Sequence, residues 1–286
     1  MDTLIADSGS TKTKWALVTE QPGLPKIVQT VETEGLNPLY ATQQQIADAL
    51  SRVLRETQTP SPDRLQFYGS GCSGERVGLV EQALRSRLTP MTQVTVSSDL
   101  MGAAMALRTD DDAPFIACIL GTGAIAALYE PDIQQLTPMP ALGYILGDEG
   151  SGAWLGRHVL SDYLKGQMPQ RAAEAFADDY GTVTAEQAIR HTYQQPFANR
   201  YLATFASFAG RHADMSYCQQ LAYRGIDAFW QRNVMRIDVT EAGEGIRDVR
   251  LVGSVAWHLR AVIETVAASH GYLVTRVIKD PIAGLV

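Results

Sequence analysis

Cysteine is scarce: Cys72, Cys118 and Cys218 are three in 286 residues, odd in number and widely scattered. With no CxxC and no HExxH, neither a disulfide framework nor a zinc site is indicated, and reduced, partly buried thiols are expected. Positive charge is in the minority, 24 Lys and Arg against 31 Asp and Glu, for a net charge of −7. Such a chain repels a phosphate backbone unless a local basic patch overrides the field, so no nucleic-acid partner is expected. Long hydrophobic runs are missing too. The longest nearly apolar stretch, Phe115 to Tyr129, is interrupted by Gly121, Thr122 and Gly123 and is shorter than the ~20 residues of a bilayer span. The opening MDTLIADSG carries no basic segment ahead of an apolar one and no small-residue cleavage site. No membrane partner is therefore expected, and the cytoplasm is the expected location. What remains is 45% hydrophobic and 19% charged, a globular composition. At roughly 100 to 200 residues per domain the length suits two domains.

Residues 3 to 31 read as three short strands, TLIAD, KWALVTE and KIVQTVE, bounded by Gly, Ser, Thr or Pro, which makes a β-meander. A helix is predicted over Ala41 to Thr57 from Ile46, Ala49, Leu50, Val53 and Leu54 at helical spacing. Strand LQFYGS, a helix over Glu75 to Leu88, strand QVTVSS and a helix over Leu100 to Arg108 follow. The first half is thus βββαβαβα, an alternation that implies crossover units and a mixed or parallel sheet. The polar TDDDAP, residues 109 to 114, marks a domain junction, giving domains 1–110 and 111–286. After it FIACILGTGAIAALYEPD repeats the character of the opening, an internal duplication. A long helical stretch over Trp154 to Arg236 then delays strand VRLVGS, a helix over Leu259 to His270 and strand VTRVIK, so helices are inserted in the second copy. TEAGEGIRD, residues 240 to 248, reads as a loop.

Four groups carry candidate chemistry. Asp7, Ser8, Gly9, Ser10, Thr11, Lys12 and Thr13 form a tip between two strands: glycine lets amides approach an anion, hydroxyls donate, and Lys12 adds positive charge. A plain hairpin tip uses the same residue types. It is no P-loop, since GxxxxGK[ST] and a following helix are absent. Gly121, Thr122 and Gly123 form a second such tip. Asp99 ends strand QVTVSS, where ligands of open α/β sheets sit, and suits a general base; a helix N-cap explains an aspartate there equally. In GDEGSG, residues 147 to 152, Asp148 and Glu149 suit hydrogen bonding to a polyol, or favourable acidic residues at a helix start. GSGCSG, residues 69 to 74, with Asp99 beyond it imitates a dinucleotide fingerprint, but it follows the fourth strand rather than the first. The five histidines show no ligand spacing.

In this order the segments resemble the actin-like sugar kinase and ATPase superfamily, and within it the N-acetylglucosamine kinases grouped with BadF/BadG/BcrA/BcrD-type ATPases. IADSGSTKTKWALV looks like the first phosphate motif, SSDLMGAAMAL the catalytic segment and ILGTG the second phosphate motif. ILGDEGSGAWLG looks like the sugar-side loop, LVGSVAWHL the adenosine motif and KDPIAGLV the C-terminal segment. The resemblance implies two ribonuclease H-like (actin-like ATPase) α/β domains with an ATP cleft between them. It implies ATP and Mg²⁺ as cofactors, a small-molecule amino sugar phosphorylated at a primary hydroxyl, and room for a homodimer. By the same resemblance Asp7 coordinates Mg²⁺ through water, Gly9 to Thr13 and Gly121 to Gly123 hold phosphates, and Asp99 is the base. Gly253 and Ser254 then line the adenosine pocket, and Asn37 of EGLNP and Asp148 contact the sugar. With Asn37 and Asp99 before the junction and Asp148 after it, the sugar would be gripped from both domains and would close the cleft. Ala124 departs from the family's serine after GTG, and Tyr144 from a histidine. A BadF-type ATPase without acceptor, or an inactive nucleotide- or sugar-binding regulator, is the alternative. No cysteine matches the cluster motif of the reductase-activating members.

Overall fold

The structure is a computed structural model that describes residues 1–21, 24–109, 113–237 and 245–286. The proposed domain boundary at 110/111 and most of the loop at 240 to 248 lie outside the described residues. The chain divides into two compact units, Met1–Arg108 with Asp280–Val286, and Thr109–Lys279.

Unit 1 opens with the expected meander, β1 (Asp2–Ser8), β2 (Lys12–Gln21) and β3 (Leu24–Glu34). Next come α1 (Gln43–Glu56), β4 (Arg64–Gly69), α2 (Glu75–Arg85), β5 (Gln93–Ser98) and α3 (Asp99–Ala106). The sheet order is β3-β2-β1-β4-β5, antiparallel through the meander and parallel from β1 to β5. α1 starts where Thr42 and Gln45 form a reciprocal capping box, and it buries the predicted Ile46, Leu50, Val53 stripe. Alternation along β1 feeds two layers. Leu4 and Ala6 join Trp15, Phe67 and the apolar faces of α1 and α2. Ile5 faces the other way with Ala16, Val18 and Tyr68, and there Ile282 from the chain's end completes the cluster.

The C-terminal segment corrects the sequence reading, which kept residues 280 to 286 in the second domain. Ile282 is 1% exposed, and the backbone packs so tightly that a Cβ on Gly284 would stand 2.2 Å from the Ala106 carbonyl oxygen. Asp280 caps the turn Pro281–Gly284 by accepting from the Ile282 N–H at 3.0 Å and ion-pairs with Lys14.

Unit 2 repeats the meander as β6 (Phe115–Leu120), β7 (Ala124–Glu130) and β8 (Gln135–Pro138). Helices α4 (Gly143–Leu146), α5 (Gly152–Leu164), α6 (Gln170–Tyr180), α7 (Ala185–Tyr193), α8 (Ala198–Thr204), α9 (Ser207–Arg211) and α10 (Ser216–Arg232) follow. β9 (Asp248–Val252), α11 (Ser254–His258), α12 (Arg260–Ser269) and β10 (Leu273–Ile278) close the unit. The sheet, read from its β8 edge, runs β8-β7-β6-β9-β10, the topology of unit 1 strand for strand. The duplication is therefore real, and the inserted helices build their own core around Phe176, Phe208, Phe229 and Trp230. Three details differ from expectation. The helical stretch is broken at Gly166 and Gly181, both at positive φ, the helix after β9 is split in two, and the second copy ends at β10 without a further helix.

Candidate active site

Parallel pairing brings three strand ends together in unit 1: Ser8 lies beside Gly69, and Gly69 beside Ser98. Asp7 and Asp99 therefore stand at the same carboxyl edge of the sheet. Ser98, not Asp99, is the N-cap of α3, its hydroxyl accepting from the Met101 N–H at 3.1 Å. The capping explanation for Asp99 is thereby removed. Asp99 accepts from the Leu100 N–H at 2.9 Å and from the Ser70 hydroxyl. Burial pushes its carboxyl up from 3.8 to about 6, against the lowering effect of those donors. Asp7 is pushed further, to about 7, first by burial and then by the negative charges of Asp99 and Asp280, with Lys14 and Lys12 opposing. The sequence reading missed Ser70, Lys14 and Asp280; Ser70 lies inside the GxGxxG turn and Asp280 inside KDPIAGLV.

The first tip is closed by the Gly9 N–H donating to the Lys12 carbonyl at 3.0 Å. Gly9, Ser10, Thr11 and Lys12 stay accessible, while Thr13 is fully buried. The Thr13 hydroxyl donates to the Glu34 carbonyl at 2.9 Å and lies 2.8 Å from Ser8 Oγ, so it braces the hairpin instead of facing a ligand. Lys12 Nζ points along the sheet to Glu32 at 2.7 Å. A Cβ on Gly9 would meet only the Lys12 carbonyl oxygen, at an ordinary 3.6 Å, and φ is not positive there. The fold does not require this glycine, which leaves open backbone as its effect. Asn37 is buried at 5% exposure; its Oδ1 accepts from the Leu39 N–H at 2.9 Å, and Nδ2 donates to Ser70 Oγ at 3.5 Å.

In unit 2 the second tip is pinned by the start of α5: the Gly152 and Ala153 N–H groups donate to the Gly121 and Thr122 carbonyls at 2.8 and 3.0 Å. Ser151 caps that helix, accepting from the Trp154 N–H, so Asp148 and Glu149 are free of capping duty. Asp148 sits at φ 55°, the left-handed region uncommon for aspartate. It accepts from the Ala124 N–H at 3.1 Å, and a Cβ on Gly123 would stand 3.2 Å from both its oxygens. Burial raises its pKa, with the Ala124 amide opposing and Glu149 adding to the rise. Glu149 is tied to Arg232 at 2.5 Å. A cavity of about 140 Å³ opens here, lined by Ala124, Met139, Leu142, Leu146 and Asp148 among others, while Tyr144 packs on the core of the unit. A Cβ on Gly121 would meet nothing within 4 Å. Gly253 is different: at φ 125° a Cβ would stand 2.3 Å from the Leu120 carbonyl oxygen, so the fold itself demands glycine. Ser254 follows it, exposed, at the first position of α11.

All three cysteines are free, buried thiols; burial pushes Cys72 up to about 12 and Cys218 to about 11. Among the described residues no three His, Cys, Asp or Glu side chains form a metal ligand set, and no helix is long and apolar enough to cross a membrane.

No family model and no curated protein matches the chain. Solved structures do. A candidate N-acetylglucosamine kinase of Porphyromonas gingivalis is 37% identical over 99% of this chain and 96% of its own, with a TM-score of 0.87. A second candidate N-acetylglucosamine kinase, from Chromobacterium violaceum, superimposes at TM-score 0.71 with 18% identity, covering 99% of this chain and 97% of its own. A glucokinase of the ROK family from Streptomyces griseus, solved with glucose and AMPPNP, shares the fold at TM-score 0.58 and 13% identity, over 100% of this chain and 97% of its own.

Proposed function

We propose, for a chain that belongs to the actin-like sugar kinases together with the candidate N-acetylglucosamine kinase of Porphyromonas gingivalis, that the phosphoryl acceptor is the primary hydroxyl of an N-acetylglucosamine-like amino sugar. The observation that carries the reading is Asp99: a carboxylate at a strand end, oriented by Ser70 and Leu100, with its pKa moved to about 6. At pH 7 it is about nine-tenths ionised, yet more basic than an ordinary aspartate, the balance a general base needs.

The remaining residues position. Gly9 and Gly121 close their tips through their own N–H groups on the Lys12 and Gly123 carbonyls and leave the tip backbone free of side-chain cover, so that phosphate oxygens can approach it. Gly253 and Ser254 line the adenosine side, and Asn37 and Asp148 bond sugar hydroxyls. Asp148 reaches that role from a strained backbone, a cost typical of functional positions. Asp7 suits a hard divalent cation held through water: it is a carboxylate whose neighbours Asp99 and Asp280 crowd it with negative charge. Mg²⁺ bound there would neutralise charge on the transferring phosphoryl group. Positioning and charge neutralisation supply most of the catalysis in this chemistry.

Steady-state ADP release over a panel of hexoses and N-acetylhexosamines tests the reading, with Asp99→Asn as the decisive variant. Turnover falls by about 10² to 10⁴ while ATP affinity holds. Wild-type rates in that variant, or ADP release indifferent to every sugar, would sink the assignment and favour an ATPase without acceptor. Light scattering on the same preparation reads out the homodimer.

A further inference from the structure

The GxGxxG turn at residues 69 to 74 enters the site described above only through the Ser70 hydroxyl on Asp99. Its geometry joins that carboxylate to a second group of the site, Asn37. Because β1, β4 and β5 run parallel, the residue after β4 falls between the ends of β1 and β5. That residue is Ser70. Its N–H donates to the Ser8 carbonyl at 2.8 Å, fixing the backbone beside the first tip.

The direction of its side-chain bonds is settled at both ends. Asn37 Oδ1 is taken by the Leu39 N–H, which leaves the amide nitrogen to face Ser70 Oγ at 3.5 Å. An ionised Asp99 only accepts, so the Ser70 hydroxyl spends its single proton there. Serine has one donor and two acceptor sites, and this arrangement uses the donor and one acceptor without conflict. The 3.5 Å bond is long, as such bonds often are before substrate tightens them. Gly71 adds an independent constraint. It lies at φ 80°, and a Cβ there would stand 2.3 Å from Asn37 Oδ1. The turn thus presses its backbone on the Asn37 amide with one residue and hydrogen-bonds it with the residue before.

We propose that Ser70 is a positioning residue: its hydroxyl aims the Asp99 carboxylate at the acceptor hydroxyl and couples it to Asn37, so that sugar recognition and proton removal are held as one assembly. This rests on the kinase reading of Asp99 and Asn37. A base misplaced by about 1 Å can cost about 10²-fold in rate. Loss of the hydroxyl therefore appears in kcat, whereas displacement of Asn37 appears in KM.

Three variants of the full chain separate these effects, each checked by thermal melting. Ser70→Ala lowers kcat by about 10- to 100-fold with KM for the sugar changed less than about 3-fold. Ser70→Thr, which restores a hydroxyl, recovers kcat to within about 3-fold of wild type. Gly71→Ala shows the opposite split, with KM raised about 10-fold or more. In an Asp99→Asn background, Ser70→Ala has less than about a 2-fold further effect, since it acts through Asp99. Wild-type kcat in Ser70→Ala overturns the proposal, as does a Ser70→Thr variant that melts normally and is as slow as Ser70→Ala. A wild-type protein that phosphorylates no sugar overturns the kinase reading first and this proposal with it, and that result is read before any variant is made.

Discussion

Replacing Asp99 by asparagine should make the protein more stable while it stops the reaction. Burial moves the Asp99 carboxyl from 3.8 to about 6, so the folded state holds the ionised form at a cost the unfolded chain does not bear. In the window between 3.8 and about 6 the native state binds more protons than the unfolded state, and stability falls as pH rises through it. The favourable contribution of the neutral carboxyl is fully present below 3.8 and lost above about 6. At about 1.4 kcal/mol per pH unit the move is worth about 3 kcal/mol at pH 7.5, a ceiling because water reaches the half-buried side chain. Asparagine keeps an oxygen for the Leu100 N–H and the Ser70 hydroxyl and carries no charge. In urea denaturation at pH 7.5 the variant's midpoint should rise, by up to about 1 M if all of the 3 kcal/mol is recovered. At pH 5.0, where wild-type Asp99 is mostly neutral, the gain should shrink to about half. A variant no more stable than wild type at pH 7.5, or a gain that does not depend on pH, would refute the argument that this carboxylate is held ionised against burial.

The acid limb of kcat should follow the same group: activity at pH 5 should be about one-tenth of that at pH 7.5, read from initial rates at saturating sugar and ATP. Gly121→Ala should fold and melt as wild type, because its Cβ meets nothing within 4 Å, yet bind ATP at least about 10-fold more weakly by calorimetry if phosphate oxygens approach that backbone. Ile282→Ala should destabilise unit 1 by about 2 to 5 kcal/mol, since it empties a fully buried site; hydrogen exchange should show the loss in β1 and β2 before it reaches unit 2. ATP hydrolysis without sugar should be slow, measured as ADP release with the acceptor omitted.

Strands were legible where apolar runs met clear punctuation. TLIAD and FIACIL are unbroken and buried, and both meanders follow from them. QLTP carried no such signal: β8 is four residues long, polar and mostly exposed, and it is a strand only because β7 offers an edge. The helical stretch after Trp154 was legible as helix but not as six helices: three of its five breaks contain a left-handed residue, Gly166, Gly181 or Phe197, and the other two have none. Phe197, at φ 63°, is one that no propensity would nominate. The terminal IAGLV is apolar enough to be buried, but nothing in its composition says in which unit.

The site divides along a similar line. Asp99 was legible as a candidate because a lone aspartate between an apolar strand and an apolar helix is conspicuous, and the structure gives the competing capping role to Ser98. The first tip was legible as a tip and misjudged as a set of side chains, for a reason local to strands. Successive residues of β2 face opposite sides, so Lys12 runs out to Glu32, Thr13 turns inward to Ser8, and Lys14 reaches the terminal Asp280. Lys12 and Thr13, which read with Gly9 to Thr11 as one phosphate-binding cluster, thus go to a surface ion pair and to a brace inside the hairpin, while Lys14, which that reading did not include, links to the chain's end. What is left to a ligand is the accessible backbone of Gly9 to Thr11, itself held by the Gly9 N–H on the Lys12 carbonyl and the Gly35 N–H on the Thr11 carbonyl. Ser70 was hidden by the opposite error: its turn matched a familiar glycine pattern, and once that pattern was set aside its hydroxyl had no stated work. Its partners are Asn37, 33 residues upstream, and Asp99, 29 residues downstream. Pairing across parallel strands over such separations is set by sheet order, which no local spacing encodes.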